Sequence, residues 1–102
     1  MTSSQGVSVT VVIPAYNAAR TIASTLESVM AQTRPDWEAI VVDDRSTDDT
    51  CAIVEELASR DSRIRLLALE KNNGAPAAPR NRGVEKANSP WVAFLDSDDL
   101  WH

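Results

Sequence analysis

The chain has 102 residues and carries 10 lysines and arginines against 15 aspartates and glutamates, a net charge of −5. That length fits one small domain or one part of a larger one, and 43% hydrophobic with 25% charged residues are globular proportions that argue against wholesale disorder. The single cysteine excludes an intrachain disulfide scaffold and a cysteine-based zinc site. The acidic balance argues against nucleic acid as a partner, because phosphate backbones select basic surfaces.

Met1 to Gly6 is polar and uncharged, reads as a disordered tail, and lacks the basic start and apolar middle of a signal peptide. No apolar run approaches the ~18 residues of a membrane span, so a cytoplasmic location is expected, with any attachment to the inner face of the membrane residing in other segments. The first apolar run, Val7–Ile13, is nearly continuous, as are Glu38–Val42 and Trp91–Leu95, the pattern of strands covered on both faces of a parallel sheet. A third strand is read at Ile64–Leu69.

Between the strands lie helical patterns. From Ala18 to Gln32, Ile22, Leu26, Val29 and Met30 fall on one helix face. From Asp48 to Arg60, Val54, Leu57 and Ala58 repeat that spacing more weakly, with Asp48 placed to cap the helix. From Pro79 to Asn88 the apolar face is small (Gly83, Val84, Ala87), which lets that helix sit close to the sheet, and Pro79 suits a first helical turn. The order β-α-β-α-β-α-β predicts an α/β fold, a Rossmann-like doubly wound and mainly parallel sheet with helices on both faces.

In such sheets ligands bind beyond the carboxyl ends of the strands, where strand order reverses. Ligand-capable residues gather on that edge: Pro14, Ala15, Tyr16 and Asn17 after the first strand, Asp43 to Thr50 after the second, Lys71 to Pro76 after the third, and Asp96, Ser97, Asp98 and Asp99 after the fourth. The opposite edge shows no such concentration. If the chain stays extended, Asp96 and Asp98 point the same way, and two like charges held together call for a cation or a proton. Hard oxygens of this kind suit Mg²⁺ or Mn²⁺, while the plainer reading is a solvated acidic turn. Asp43 and Asp44 are either turn and cap residues, competing with Ser46, Thr47 and Asp48, or acceptors for a ring N–H or a ribose hydroxyl. Arg80 is either a solvated helix charge or a phosphate partner near a helix N-terminus. Tyr16 either stacks on a ring or closes a turn. Cys51 reads as a packing residue, Trp91 and Trp101 as core and rim, and His102 has no partner in view.

Three segments together resemble the family-2 glycosyltransferases of the GT-A fold: VTVVIPAYNAARTIASTLESVMAQT (Val9–Thr33), VVDDRSTDDT (Val41–Thr50) and NNGAPAAPRNRGVEKANSPWVAFLDSDDLW (Asn72–Trp101). The resemblance implies that Pro14, Ala15, Tyr16 and Asn17 line a nucleoside pocket for a UDP- or GDP-type sugar donor. It implies that Asp44 accepts a hydrogen bond from the base with Asp43 close by, and that Arg80 lies near the donor. Asp96 and Asp98 match the family's DXD motif, with Asp96 and Ser97 toward the nucleotide sugar, Asp96 and Asp98 toward a divalent cation, Mn²⁺ or Mg²⁺, and Asp99 a further acidic candidate. The implied reaction is inverting transfer of the sugar to an acceptor hydroxyl, saccharide or lipid-linked.

Two features depart from the family pattern. Pro79 precedes Arg80 where Ala is commoner, with one extra residue between Gly74 and Arg80. Family members also run to more than twice this length, and their remainder builds the acceptor pocket and supplies the catalytic base. The expectation is therefore that residues 7–102 form a donor-binding part that transfers no sugar alone, assigns no catalytic base, and forms a homodimer to cover exposed apolar surface. The competing reading is a non-catalytic domain of the same fold that binds a nucleotide sugar or a protein. A dinucleotide oxidoreductase or a nucleotidyltransferase would carry a glycine-rich turn after the first strand, and Pro14-Ala15-Tyr16-Asn17 has no glycine.

Overall fold

The apolar runs fold as strands because each is covered from two sides. A computed structural model describes residues 8–32, 35–69 and 77–99, the last beginning with four residues, 77–80, described in backbone alone. In chain order the elements are β1 (Val9–Ala15), α1 (Ile22–Met30), β2 (Trp37–Asp43), α2 (Thr50–Arg60), β3 (Ile64–Ala68), α3 (Ala77–Lys86) and β4 (Trp91–Phe94). The strands pair in the order β3-β2-β1-β4, all parallel. The expected doubly wound α/β fold is what forms. The expected tail over residues 1–6, the loop Lys71–Pro76, Trp101 and His102 lie outside the described residues.

Strand order dictates which face each helix covers. The chain steps from β1 to β2 to β3 in one direction, so right-handed crossovers place α1 and α2 on the same face. The return from β3 past β1 to β4 reverses direction and puts α3 on the other face. Alternation along the strands matches this. Val11, Ile13, Ala39 and Val41 meet Ile22, Leu26 and Val29 of α1 and Val54 and Leu57 of α2 in the larger core. Val12, Ile40 and Val42 form the smaller core beneath α3. Full burial of a Leu, Ile or Val side chain contributes about 1.5–3 kcal/mol, so this double cover is the main force holding β1 and β2 central.

The small face of α3 serves the close approach its sequence suggests. A methyl group at Gly83 would lie 2.4 Å from Val12 Cγ1 and 3.2 Å from Val42 Cγ2. Only a residue without a Cβ allows the helix this distance from the sheet.

The outer strands depart from expectation. The run Trp91–Leu95 was expected to be covered on both faces, with Trp91 in the core, yet Trp91 is 72% exposed and Phe94 52%. Among the described residues β4 is an edge strand that pairs with β1 alone, so hydrophobicity of the run does not translate into burial there. α1 also starts later than its periodicity suggests, because residues 18–21 form a turn in which Thr21 and Ile22 both donate to the Ala18 carbonyl.

The amino end of the sheet was expected to carry little polar chemistry, and that expectation is wrong. Glu38, 5% exposed, accepts from Thr10 Oγ1 at 2.6 Å, Asn88 N–H at 2.7 Å and Asn88 Nδ2 at 3.0 Å, with Arg65 Nη1 at 3.4 Å. Ser89 extends the network through a 3.0 Å contact between its hydroxyl and that of Thr10. One buried carboxylate thus ties β1, β2, β3 and the α3–β4 connection together. Burial raises the Glu38 pKa, but the Thr10 and Asn88 hydrogen bonds and the Arg65 charge outweigh that and hold it below the usual carboxylate value.

Candidate functional site

The reversal of strand order falls between β1 and β4, and this is where an open α/β sheet presents a crevice. Pro14 fixes where it opens. Pro14 and Ala15 were expected in the turn after the first strand, but both belong to β1, paired with Val42 and Asp43. Along β1 the backbone groups alternate between neighbours. The Ala15 carbonyl accepts from Asp44 N–H at 2.8 Å on the β2 side, and the Val12 carbonyl accepts from Leu95 N–H at 3.0 Å on the β4 side. Residue 14 therefore faces β4 as well, and proline has no N–H to give. The next rung toward the Leu95 carbonyl cannot form, and the chain leaves the sheet at Asp96.

Beyond Ala15 the β1 and β2 loops are stitched together. Tyr16 is 53% exposed, and Asn17 adopts a left-handed backbone, φ 49°, which Asn tolerates better than most residues. Its N–H donates to Ser46 Oγ at 2.8 Å, and its Oδ1 accepts from Thr47 N–H at 2.7 Å. Ala18 N–H donates to Thr50 Oγ1 at 2.8 Å, and Ala19 N–H to Asp48 Oδ2 at 3.1 Å. The Asp48 carboxylate also accepts from Thr50 N–H at 3.0 Å and from the Thr50 hydroxyl. It thereby caps the first turn of α2 as expected, while Asp49, the backbone N-cap, makes no side-chain cap. The Thr50 hydrogen bond in particular holds the Asp48 pKa below its ordinary value.

Asp43 and Asp44 have separate fates. Asp43, 2% exposed, accepts from Ser46 N–H at 2.9 Å and from the Ser46 hydroxyl, an Asx-type turn across Arg45, whose φ is 61°. For Asp43 the turn role is realised. Burial first, and the Asp43 carboxylate second, push the Cys51 thiol up to about 11, which leaves it protonated and unreactive at neutral pH. Asp44, 5% exposed, is fixed through its backbone to the end of β1 beside Ala15, at the junction of the two loops.

Across the crevice, Asp96 to Asp99 form a turn closed by Asp99 N–H donating to the Asp96 carbonyl at 3.0 Å. The backbone is not extended through Asp98, so strand alternation does not align Asp96 with Asp98 as the sequence suggested. The turn itself points both outward, since Asp96, Asp98 and Asp99 are exposed and Ser97 is half-buried. Two hydroxyls absent from the sequence reading hold it: Thr21 Oγ1 and Thr25 Oγ1 donate to the Ser97 carbonyl at 3.0 and 2.8 Å. The signal was present, in a polar Thr25 on the otherwise apolar face of Ile22, Leu26 and Val29. Arg80 lies on the first turns of α3, and its side chain lies outside those described.

Among the described residues no three His, Cys, Asp or Glu side chains converge as a metal cluster. Mg²⁺ and Mn²⁺ sites shared with a phosphate need only one or two carboxylates plus waters. The exposed hard oxygens of Asp96, Asp98 and Asp99 fit that requirement.

A parallel α/β sheet with a polar crevice at its order reversal is the architecture of nucleotide-binding enzymes. Residues 10–102 match the glycosyl transferase family 2 description, and the chain belongs to that family. It is 45% identical over 93 residues to the UDP-Glc:alpha-D-GlcNAc-diphosphoundecaprenol beta-1,3-glucosyltransferase WfgD of Escherichia coli, covering 91% of this chain and 36% of that protein. Among solved structures it is similar to S. aureus TarS in complex with UDP, with a TM-score of 0.86 and 38% identity over 91% of this chain and 28% of that one. The mannosyltransferase PcManGT of Pyrobaculum calidifontis, in complex with GDP-Man and Mn2+, gives a TM-score of 0.84 and 32% identity over the same shares. These GT-A glycosyltransferases share the fold, and this chain spans about a third of the length of the curated relative.

Proposed function

We propose that the crevice between β1 and β4 binds the nucleoside diphosphate of a sugar donor, and that the chain is the donor-binding part of an inverting glycosyltransferase. The observation that carries this is the placement of the β1 loop, the β2 loop and the acidic turn around one strand-order reversal, in a fold whose solved relatives hold UDP, UDP-GlcNAc and GDP-Man. Pro14, Ala15, Tyr16 and Asn17 would border the nucleoside, with Tyr16 exposed for stacking and buried Asp44 on the base side. Asp43 acts at one remove, shaping the loop through Ser46.

Asp96, Asp98 and Asp99 would hold a divalent cation on the diphosphate. Such a cation, when bound, offsets the charge that develops on the departing nucleoside diphosphate. The chain's own contribution is to bring the carboxylates out of the sheet at Asp96, leave them exposed, and hold the turn against α1. No residue described here is placed as the base that deprotonates an acceptor hydroxyl, and transfer by these residues alone is not expected.

Calorimetric titration of UDP and GDP, each with and without Mn²⁺, against wild type and Asp98→Ala tests this. Metal-dependent binding of one nucleotide that disappears in the variant is the expected result. Absence of binding to a folded chain, or binding indifferent to both metal and Asp98, would overturn it.

A further inference from the structure

Thr21 and Thr25 use their hydroxyls in a way that their positions on α1 do not require. Thr21 is the N-cap of α1, where a threonine hydroxyl ordinarily accepts an N–H from the first turn, and no such bond forms. Its Oγ1 instead lies 3.0 Å from the Ser97 carbonyl and only 3.5 Å from the Ala18 carbonyl. Thr25, 1% exposed, donates to the same Ser97 oxygen at 2.8 Å. A buried helix hydroxyl has an easier partner in a carbonyl one turn back. Ser28 on the same helix takes that route, donating to the Thr25 carbonyl at 2.6 Å.

The i, i+4 spacing brings both threonines to one helix face. Their two donors match the two lone pairs of a single carbonyl.

We propose that Thr21 and Thr25 are positioning residues for the acidic turn: they fix the Ser97–Asp98 peptide and so the direction in which Asp96 and Asp98 meet the donor's diphosphate and its cation. This rests on the donor-site reading above. In a trans peptide the C=O and N–H point opposite ways, so anchoring the Ser97 carbonyl on α1 turns the Asp98 N–H away from that helix. The anchor is rigid because α1 is itself held by Ile22, Leu26 and Val29, each fully buried. The turn, closed by the Asp99 N–H on the Asp96 carbonyl, gains a fixed attachment to α1 from these hydroxyls.

The test uses Thr25→Val, which removes the hydroxyl at constant shape, the Thr21→Val/Thr25→Val double variant, and Thr25→Ser, which keeps a donor. Amide hydrogen exchange reads the turn without any ligand. The Asp99 amide is expected to exchange about tenfold faster in Thr25→Val and faster still in the double variant. Thr25→Ser should stay near wild type, and the core amides of β1 and β2 should be unchanged in all three. In parallel, the increment in UDP or GDP affinity given by Mn²⁺ should fall about tenfold in Thr25→Val, with metal-free affinity unaltered and Thr25→Ser restored.

An Asp99 amide as protected in the double variant as in wild type overturns the anchor whether or not nucleotide binds. Faster exchange with an unchanged metal increment overturns the positioning role and leaves a structural tie. A wild-type chain that binds neither nucleotide overturns the donor-site reading and the positioning role with it, while the exchange data still decide the anchor.

Discussion

Glu38 and Asp98 stand at opposite ends of one sheet and are treated in opposite ways. Glu38 is buried and wrapped by Thr10, Asn88 and Arg65. Asp98 is exposed, on a turn that is itself held by its neighbour's carbonyl rather than by its carboxylate. A buried charge is tolerated only when hydrogen bonds replace its water. The amino end therefore has a carboxylate whose bonding capacity is taken up by the fold, whereas Asp98 at the carboxyl end keeps its carboxylate exposed to solvent. Both are carboxylates; what differs is how far the surrounding elements take each out of water.

The sharpest way to break this contrast is to remove Glu38. Glu38→Ala removes the buried acceptor shared by the Thr10 hydroxyl and the Asn88 amide groups and is expected to cost about 2 kcal/mol in stability, measured by urea unfolding. The pH dependence has a defined sign. The folded-state pKa of Glu38 lies below its ordinary 4.5. Its contribution is thus complete above that ordinary value and is lost as pH falls through the lower folded value. Wild type should lose stability on acidification below about pH 5 more steeply than Glu38→Gln. Parallel curves for the two proteins would show that Glu38 is not the group responsible.

A smaller effect is expected at Gly83. The added methyl of Gly83→Ala meets Val12 at 2.4 Å, and overpacking of this kind costs about 1–3 kcal/mol, offset by about 1 kcal/mol of helix propensity. A net loss of about 1 kcal/mol in thermal or chemical unfolding is the expected outcome, and a gain would mean that α3 shifts freely over the sheet. Arg65→Ala separates the two kinds of contact made by Glu38. The Arg65 side chain is 43% exposed and 3.4 Å from the carboxylate, so solvent screening limits its loss to less than about 1 kcal/mol. A cost equal to that of Glu38→Ala would make the ion pair, rather than the hydrogen bonds, the source of the tie. Smallest of all, Asp98→Asn should change stability by less than about 0.5 kcal/mol in the same assay, as for exposed positions away from structural features.

The central strands and three crossover helices were legible because each rests on local pattern. β1 and β2 are apolar runs that two cores cover, α1 carries its stripe of Ile22, Leu26 and Val29, and Gly83 marks the close contact of α3. What misled was pattern without tertiary context. Trp91 and Phe94 look like core residues, but among the described residues β4 has a neighbour on one side alone. Asp96 and Asp98 look like residues on one face of a strand, but Pro14, far away in sequence, ends the pairing that would keep them extended.

Glu38 was hidden in an apolar strand, although Thr10 is its register partner on β1 and a second polar interruption at the same level. Thr21 and Thr25 were hidden on a helix face whose partner, the Ser97 carbonyl, is a backbone group that no side-chain motif can announce.

Pro14 has one further consequence. The gap between β1 and β4 is enforced by a missing hydrogen atom in the covalent structure and not by a balance of weak contacts. A longer β4, or another strand laid along that side, would lack the hydrogen bond from residue 14. Any closer pairing of β1 and β4 beyond this point would therefore lack one backbone rung. A ligand bound there as proposed would not have to break that rung first.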